Sequence, residues 1–184
     1  MLKNIRISLV LLFICGLAYP LIMTGISQVL MPDKANGSMI TDEDGNVMGS
    51  ELIGQKFTDP SYFTGRVSSI EYNASGSGSG NYAPSNEALI ERTKNDIELF
   101  VQNNPNVNKE DIPADLLTNS GSGLDPHITP LAAEIQIPRI ANERGVSEEV
   151  LLSLIKEHTE GRLFGIFGEP RVNVLNLNIA LDEL

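Results

Sequence analysis

Residues 7–32 read ISLVLLFICGLAYPLIMTGISQVLMP and contain no charged side chain. Few structures are open to such a run. A helix rises 1.5 Å per residue, so about 20 apolar residues cross a hydrocarbon core of about 30 Å. In lipid a lone segment satisfies its backbone groups only as a helix. The run therefore predicts a transmembrane helix over residues 7–31. Residues 1–6 are then a short tail on one side and residues 32–184 a body on the other. Signal-peptide cores usually run about 7–15 apolar residues and end at a small-x-small site. This run is longer, no A-x-A site comes after it, and bulky Ile14 precedes Cys15 where a lipoprotein would have a smaller residue. An uncleaved anchor is expected. Pro20 predicts a bend in it. Gly16 and Gly25 either offer small faces for a neighbouring helix or are ordinary membrane-helix composition.

Charge sets the expected orientation. Lys3 and Arg6 precede the run, and the first acid is Asp33. Only Lys34 lies close on the far side, with Lys56 beyond it. The positive-inside rule puts the N-terminus in the cytoplasm and the body outside, in the plasma or inner membrane. From Asp33 onward 24 acids face 11 Lys and Arg, a net charge of -13. Phosphate affinity needs clustered cations, so this body is a poor nucleic-acid partner. Cys15 is the lone cysteine, which excludes an intramolecular disulfide.

The body reads as one mixed α/β (α+β) domain. Asp44-Gly45 marks a turn beside a short apolar stretch at 47–53, and residues 54–66 suit an irregular packed segment. The Gly/Ser run at 75–81 predicts a mobile loop. Ser85 or Asn86 caps a helix in which Leu89, Thr93, Ile97, Phe100 and Val101 recur at helical spacing up to Pro105. Residues 107–123 are expected to return as a short strand or extended segment. Pro126 and Pro130 each suit a helix start, with Asp125 or Thr129 as cap, and Pro138 should interrupt the helical run from Leu131 to Ile140. Ser147, Glu148 and Glu149 open a clear helix that Lys156, His158 and Gly161 close. Val172 and Val174 alternate with polar residues, then the phase shifts at Leu175, which predicts a bulge or a change of element within a closing strand.

The stretch TNSGSGLDPHITP (118–130) gathers the residue types of a hydrolase or a metal site. Ser122, Asp125 and His127 are too close along one proline-stiffened turn to meet easily as a triad, and no G-x-S-x-G elbow is complete. Asp125 and His127 supply two metal ligands, and the other histidine is His158. Local roles suit the stretch better. Asp125 is expected to cap, Gly121 and Gly123 to allow positive φ, Ser120 and Ser122 to satisfy loop amides, and His127 to cover the helix start or meet a partner. The run at 75–81 lacks the lysine of a Walker A loop. Residues 136–158 have a helix-turn-helix rhythm, but the second helix opens on two glutamates; a helical hairpin packed on a sheet fits better.

Four blocks, at 49–66, 72–89, 115–145 and 158–182, together closely resemble the KdpC family, the C subunit of the Kdp potassium-transporting P-type ATPase. With the anchor, the resemblance covers nearly the whole chain. Val67 stands where the family often has proline, and the 75–86 loop departs from the family form. The resemblance implies a non-catalytic subunit that stabilises the complex. Its partners would be the membrane, a channel-like potassium-translocating subunit, the P-type ATPase subunit and the small single-helix subunit. No D-K-T-G phosphorylation motif or potassium-filter signature is present. The resemblance also implies a catalytic chaperone that raises the ATP affinity of the ATPase subunit. It places nucleotide binding at Ser75, Gly76, Ser77 and Gly78, with ATP the implied ligand and no intrinsic cofactor. That placement conflicts with an extracytoplasmic body, because ATP is cytosolic. Ser120, Gly121, Ser122, Gly123, Asp125, His127, Glu169 and Arg171 are the expected structural or partner-contact residues. A membrane-anchored hydrolase using Ser122 or His127 and an anchored solute-binding domain are the alternatives.

Overall fold

The computed structural model describes residues 1–184. The chain forms two compact units, Met1–Ser50 and Glu51–Leu184. The first is dominated by one continuous helical run, Leu2–Leu30, none of which is buried. It comprises α1 (Leu2–Phe13), a π-helical stretch (Ile14–Ala18) and α2 (Tyr19–Leu30). Pro20 explains the π stretch. It has no N–H to give, and its ring crowds the carbonyl four residues back, so the preceding turn widens. Gly16 and Gly25 have open space where a Cβ would stand. A short helix α3 (Pro32–Ala35) leads into β1 (Met39–Thr41) and β2 (Val47–Ser50), an antiparallel pair. Its turn is tied by Asp42, whose carboxylate accepts from the Asn46 backbone at 2.7 Å and from its side chain at 2.9 Å. Gly45 there has φ +83°.

The second unit is mixed α/β, as expected. Residues 51–86 contain no helix or strand. After them come α4 (Glu87–Asn103), a 3-10 turn (Lys109–Asp111) and α5 (Ala114–Leu117). Next are β3 (His127–Ile128), α6 (Pro130–Glu134), α7 (Ile137–Arg144) and α8 (Glu148–Glu157). β4 (Thr159–Glu160), β5 (Arg171–Asn173) and α9 (Val174–Asp182) close the chain. The small sheet is antiparallel in the order β3-β5-β4. Its buried side meets α6 to α9 in a core that includes Ile128, Ile140, Leu151, Ile155, Val172 and Leu177.

Caps explain most boundaries. Asn86, rather than Ser85, opens α4 by accepting from the Ala88 and Leu89 amides. Ser147 accepts from the Val150 amide, and Gly145, at φ +67°, turns the chain between α7 and α8. The helical hairpin is therefore present, and α8 buries Leu151, Leu154 and Ile155 in the core.

Three expectations need correction. The 107–123 segment contains no strand but two short helical turns, Lys109–Asp111 and Ala114–Leu117, because Pro113 fixes the residue before α5 and leaves Ala114–Leu117 free to coil. Pro126 opens no helix. The residues after it pair with β5, and only Thr129, accepting from the Ala132 amide at 3.2 Å, caps a helix. Pro138 does break the helical run, as expected: α6 ends at Glu134, and Pro138 sits in the first turn of α7, where its missing N–H costs nothing. The closing strand stops at Asn173, whose side chain accepts from the Leu175 and Asn176 amides and starts α9. The phase shift is a change of element, with Val174, Leu177, Asn178 and Leu181 buried at helical spacing.

The segment lacking regular structure is held by side chains. Asn178, 2% exposed, accepts from the Phe63 N–H and donates to the Phe63 carbonyl, both at 2.9 Å. Gln136, fully buried, accepts from the Thr64 N–H at 2.8 Å and donates to the Thr64 carbonyl at 3.1 Å. Each amide thus serves one residue as a neighbouring strand would. Arg139 donates to the carbonyls of Pro60 and Tyr62. Arg144 donates to Ser61 O at 2.8 Å and lies 4.6 Å above the Tyr62 ring.

Candidate functional site

The 118–127 stretch is a knot of backbone and short polar side chains. Ser120 Oγ accepts from the Gly123 amide at 2.9 Å, and Ser122 Oγ accepts from the Leu124 amide at 3.1 Å. The two hydroxyls are 3.3 Å apart. Gly123 has φ +70°, and a Cβ there would stand 2.9 Å from both Gly78 O and Ile70 Cγ1. It is glycine for both reasons. Gly121 faces open space. Around this turn the chain closes in. Ser68 Oγ donates to Gly123 O, the Gly54 N–H to Leu124 O, and the Ser69 N–H to Asn119 Oδ1.

Asp125 caps no helix. Its Oδ1 accepts from the His127 N–H at 3.0 Å and lies 3.4 Å from His127 Nδ1, while Oδ2 pairs with Arg66 Nη1 at 3.1 Å. The His127 side chain, then its backbone and Arg66, hold the Asp125 carboxyl below the ordinary value of 3.8, against partial burial. No hydrogen bond joins His127 to Ser120 or Ser122, whose hydroxyls serve the turn itself. A nucleophile–base pair is not formed. No three His, Cys, Asp or Glu side chains gather at metal-binding geometry.

Asp125, His127, Glu169 and Arg171 do come together. With Arg66, Asp115 and Thr129 they line a surface cleft of about 350 Å³. The β3–β5 pairing puts His127 opposite Asn173, two residues from Arg171. The cleft is a lattice of opposite charges. Arg171 pairs with Glu160 at 2.7 Å, and Glu169 with Arg162 at 2.6 Å. Ser120, Gly121, Ser122 and Gly123 belong to the adjoining turn and do not line it.

The Ser75, Gly76, Ser77, Gly78 stretch lies on the other side of that turn. Three of its amides are engaged: Ser75 to Asn73 Oδ1, Gly76 to Asn73 O, and Gly78 to Ser122 O at 2.8 Å. A phosphate cradle needs such amides free. A pocket of about 250 Å³ begins one residue on, lined by Ser79, Gly80, Asn81 and Tyr82 with Ser69, Leu89, Arg92 and Asn119. Its one cation, Arg92, faces Asp96 at 3.8 Å. Burial raises the Asp96 carboxyl above its ordinary value, and Arg92 only partly opposes that.

Sequence reasoning missed the residues that hold this site in place, namely Gln136, Arg139, Arg144, Asn173 and Asn178. Gln136 and Asn178 did leave a signal, as amides in phase with the buried apolar rows of their helices.

Comparison with known proteins agrees with the blocks noted in the sequence. Residues 1–183 match the family described as KdpC: K+-transporting ATPase, c chain. The chain belongs to the KdpC family. The potassium-transporting ATPase KdpC subunit of Bacillus cereus strain Q1 is 56% identical over 98% of this chain and 93% of the relative. That of Bacillus anthracis is 54% identical over the same shares. Relatives bearing this KdpC name are described as a subunit of the ATPase.

Proposed function

We propose that this chain is the accessory, non-catalytic KdpC subunit of a potassium-importing ATPase, held in the membrane by its N-terminal helix. The observation that carries the reading is the family match over residues 1–183, which takes in both the apolar helix and the body. The Leu2–Leu30 run, none of it buried, supports the single-pass anchor. Lys3 and Arg6 support a cytoplasmic N-terminus and an outward body.

On this reading the helix docks among the channel-like, ATPase and small single-helix subunits. The acidic body stands by the potassium entrance, where its charge raises the local cation concentration. The subunit raises the ATP affinity of the ATPase subunit through assembly contacts, not through a nucleotide of its own. Two arguments favour that route: the engaged amides at Ser75, Gly76 and Gly78, and the outward body that the charge bias of Lys3 and Arg6 favours.

Protease digestion of sealed vesicles of known orientation tests the topology. The body should be cleaved from the outer face with the membrane intact. Cleavage only after the cytoplasmic face is opened would overturn it.

A further inference from the structure

Between β4 and β5 the chain rises into a tip, RLFGIFGE, at 162–169. Leu163, Phe164, Ile166 and Phe167 are 64%, 84%, 74% and 63% exposed. The other exposed large apolar side chains of this unit, among them Leu52, Leu99 and Leu131, are scattered along the sequence. Four adjacent ones left in water form a patch that soluble surfaces avoid unless it is used.

The tip is built. Leu163 and Phe167 exchange two backbone hydrogen bonds, at 2.8 and 3.0 Å, and the Gly165 N–H donates to Arg162 O at 3.0 Å. Phe164 and Gly165 sit at φ +53° and +73°, the left-handed region that a phenylalanine rarely adopts. The stem is fastened by the Arg162–Glu169 and Arg171–Glu160 pairs. A pre-shaped aromatic anchor with an ion-paired rim pays little ordering cost on docking, as in the centre of a protein interface.

Charge decides between lipid and protein as occupant. Membrane-surface elements carry Trp or Tyr and an excess of Lys and Arg. This tip has neither, its two arginines are neutralised by two glutamates, and the chain from Asp33 onward carries -13. We infer that the 163–167 tip is a docking anchor that seats Phe164 and Phe167 in an apolar pocket of another protein subunit of the transport complex. This rests on the proposed function.

The test uses the full chain, tagged and co-expressed with the other transporter subunits, and extracted in detergent. A photoreactive benzoylphenylalanine replacing Phe164 should form an adduct with one of those subunits. The double variant Phe164→Ser, Phe167→Ser should recover them at least tenfold less well, with the thermal midpoint of the body unchanged because the tip covers none of its core. Adducts with lipid alone or with a second copy of this chain alone would overturn the inference, as would recovery at the unmodified level by the double variant. Failure of the unmodified chain to recover any subunit would overturn the proposed function itself, and the inference with it.

Discussion

Two parts of the body are fixed by different means. The α7–α9 layer with β5 is held by aliphatic contact: Ile140, Leu151, Ile155, Val172 and Leu177 are fully buried there. Residues 51–86 contain no regular element, yet they are anchored at Phe63 and Thr64 by two buried amides and at 60–62 by two arginines. A run of this length without helix or strand is uncommon in a compact domain unless something else satisfies its backbone. Here the helices do so with Asn178, Gln136, Arg139 and Arg144. Apolar contact is non-directional and tolerates repacking, whereas a buried amide serves one residue in one register. The turn at 120–123 and the cleft beside it inherit their position from the second kind of bond.

The sharpest way to break this contrast is to damage each part separately. Leu151→Ala opens a cavity in the helical layer and should cost about 3–4 kcal/mol by urea denaturation. Its loss should be global, with amide exchange accelerated throughout the unit. Asn178→Ala leaves the Phe63 N–H and carbonyl buried and unpaired, at about 2–3 kcal/mol. Here exchange should accelerate first at residues 61–66 while the amides of α8 stay protected. If both variants released the same amides together, the two parts would be one cooperative layer and the contrast would fail.

The sequence showed one of these modes far better than the other. Aliphatic periodicity and caps gave α4 and α8 closely, since Asn86, Ser147 and the spaced apolar residues act within one element. It misread α9, because Val172 and Val174 alternate like a strand until Asn173 caps, and a cap acts over only three residues. Pro126 misled in the same way: local preference suits a helix start, but pairing with β5 prevails. The polar anchors were hidden because each of their partners in residues 51–86 lies at least 72 residues away, as Thr64 does from Gln136. At the site, the local bonds of Ser120, Ser122 and Gly123 were legible. The meeting of Asp125 with Arg66, Glu169 and Arg171 was not, since it depends on β3 and β5 pairing across the sheet.

A smaller effect sharpens the comparison through pH. Asp125 and Asp96 are both part-buried carboxylates beside an arginine, but their shifts have opposite signs. Asp125 is depressed, chiefly by the His127 side chain. Its contribution to stability is present above the ordinary value of 3.8 and is lost as pH falls through its lower folded value. Asp96 is raised by burial, so its contribution exists below 3.8 and is lost as pH climbs through its higher folded value. Asp125→Asn should therefore destabilise the body at neutral pH by about 0.5–1 kcal/mol, the scale of a part-exposed ion pair, with the deficit fading toward pH 3. Asp96→Asn should cost nothing at neutral pH, because it removes a charge that burial disfavours. Thermal midpoints of the two variants between pH 3 and pH 7 provide the check. A deficit for Asp96→Asn as large as that for Asp125→Asn would mean that the Arg92 contact outweighs burial. The polar bonds that hold the 66–127 side would then have no electrostatic advantage over the 92–96 helix turn.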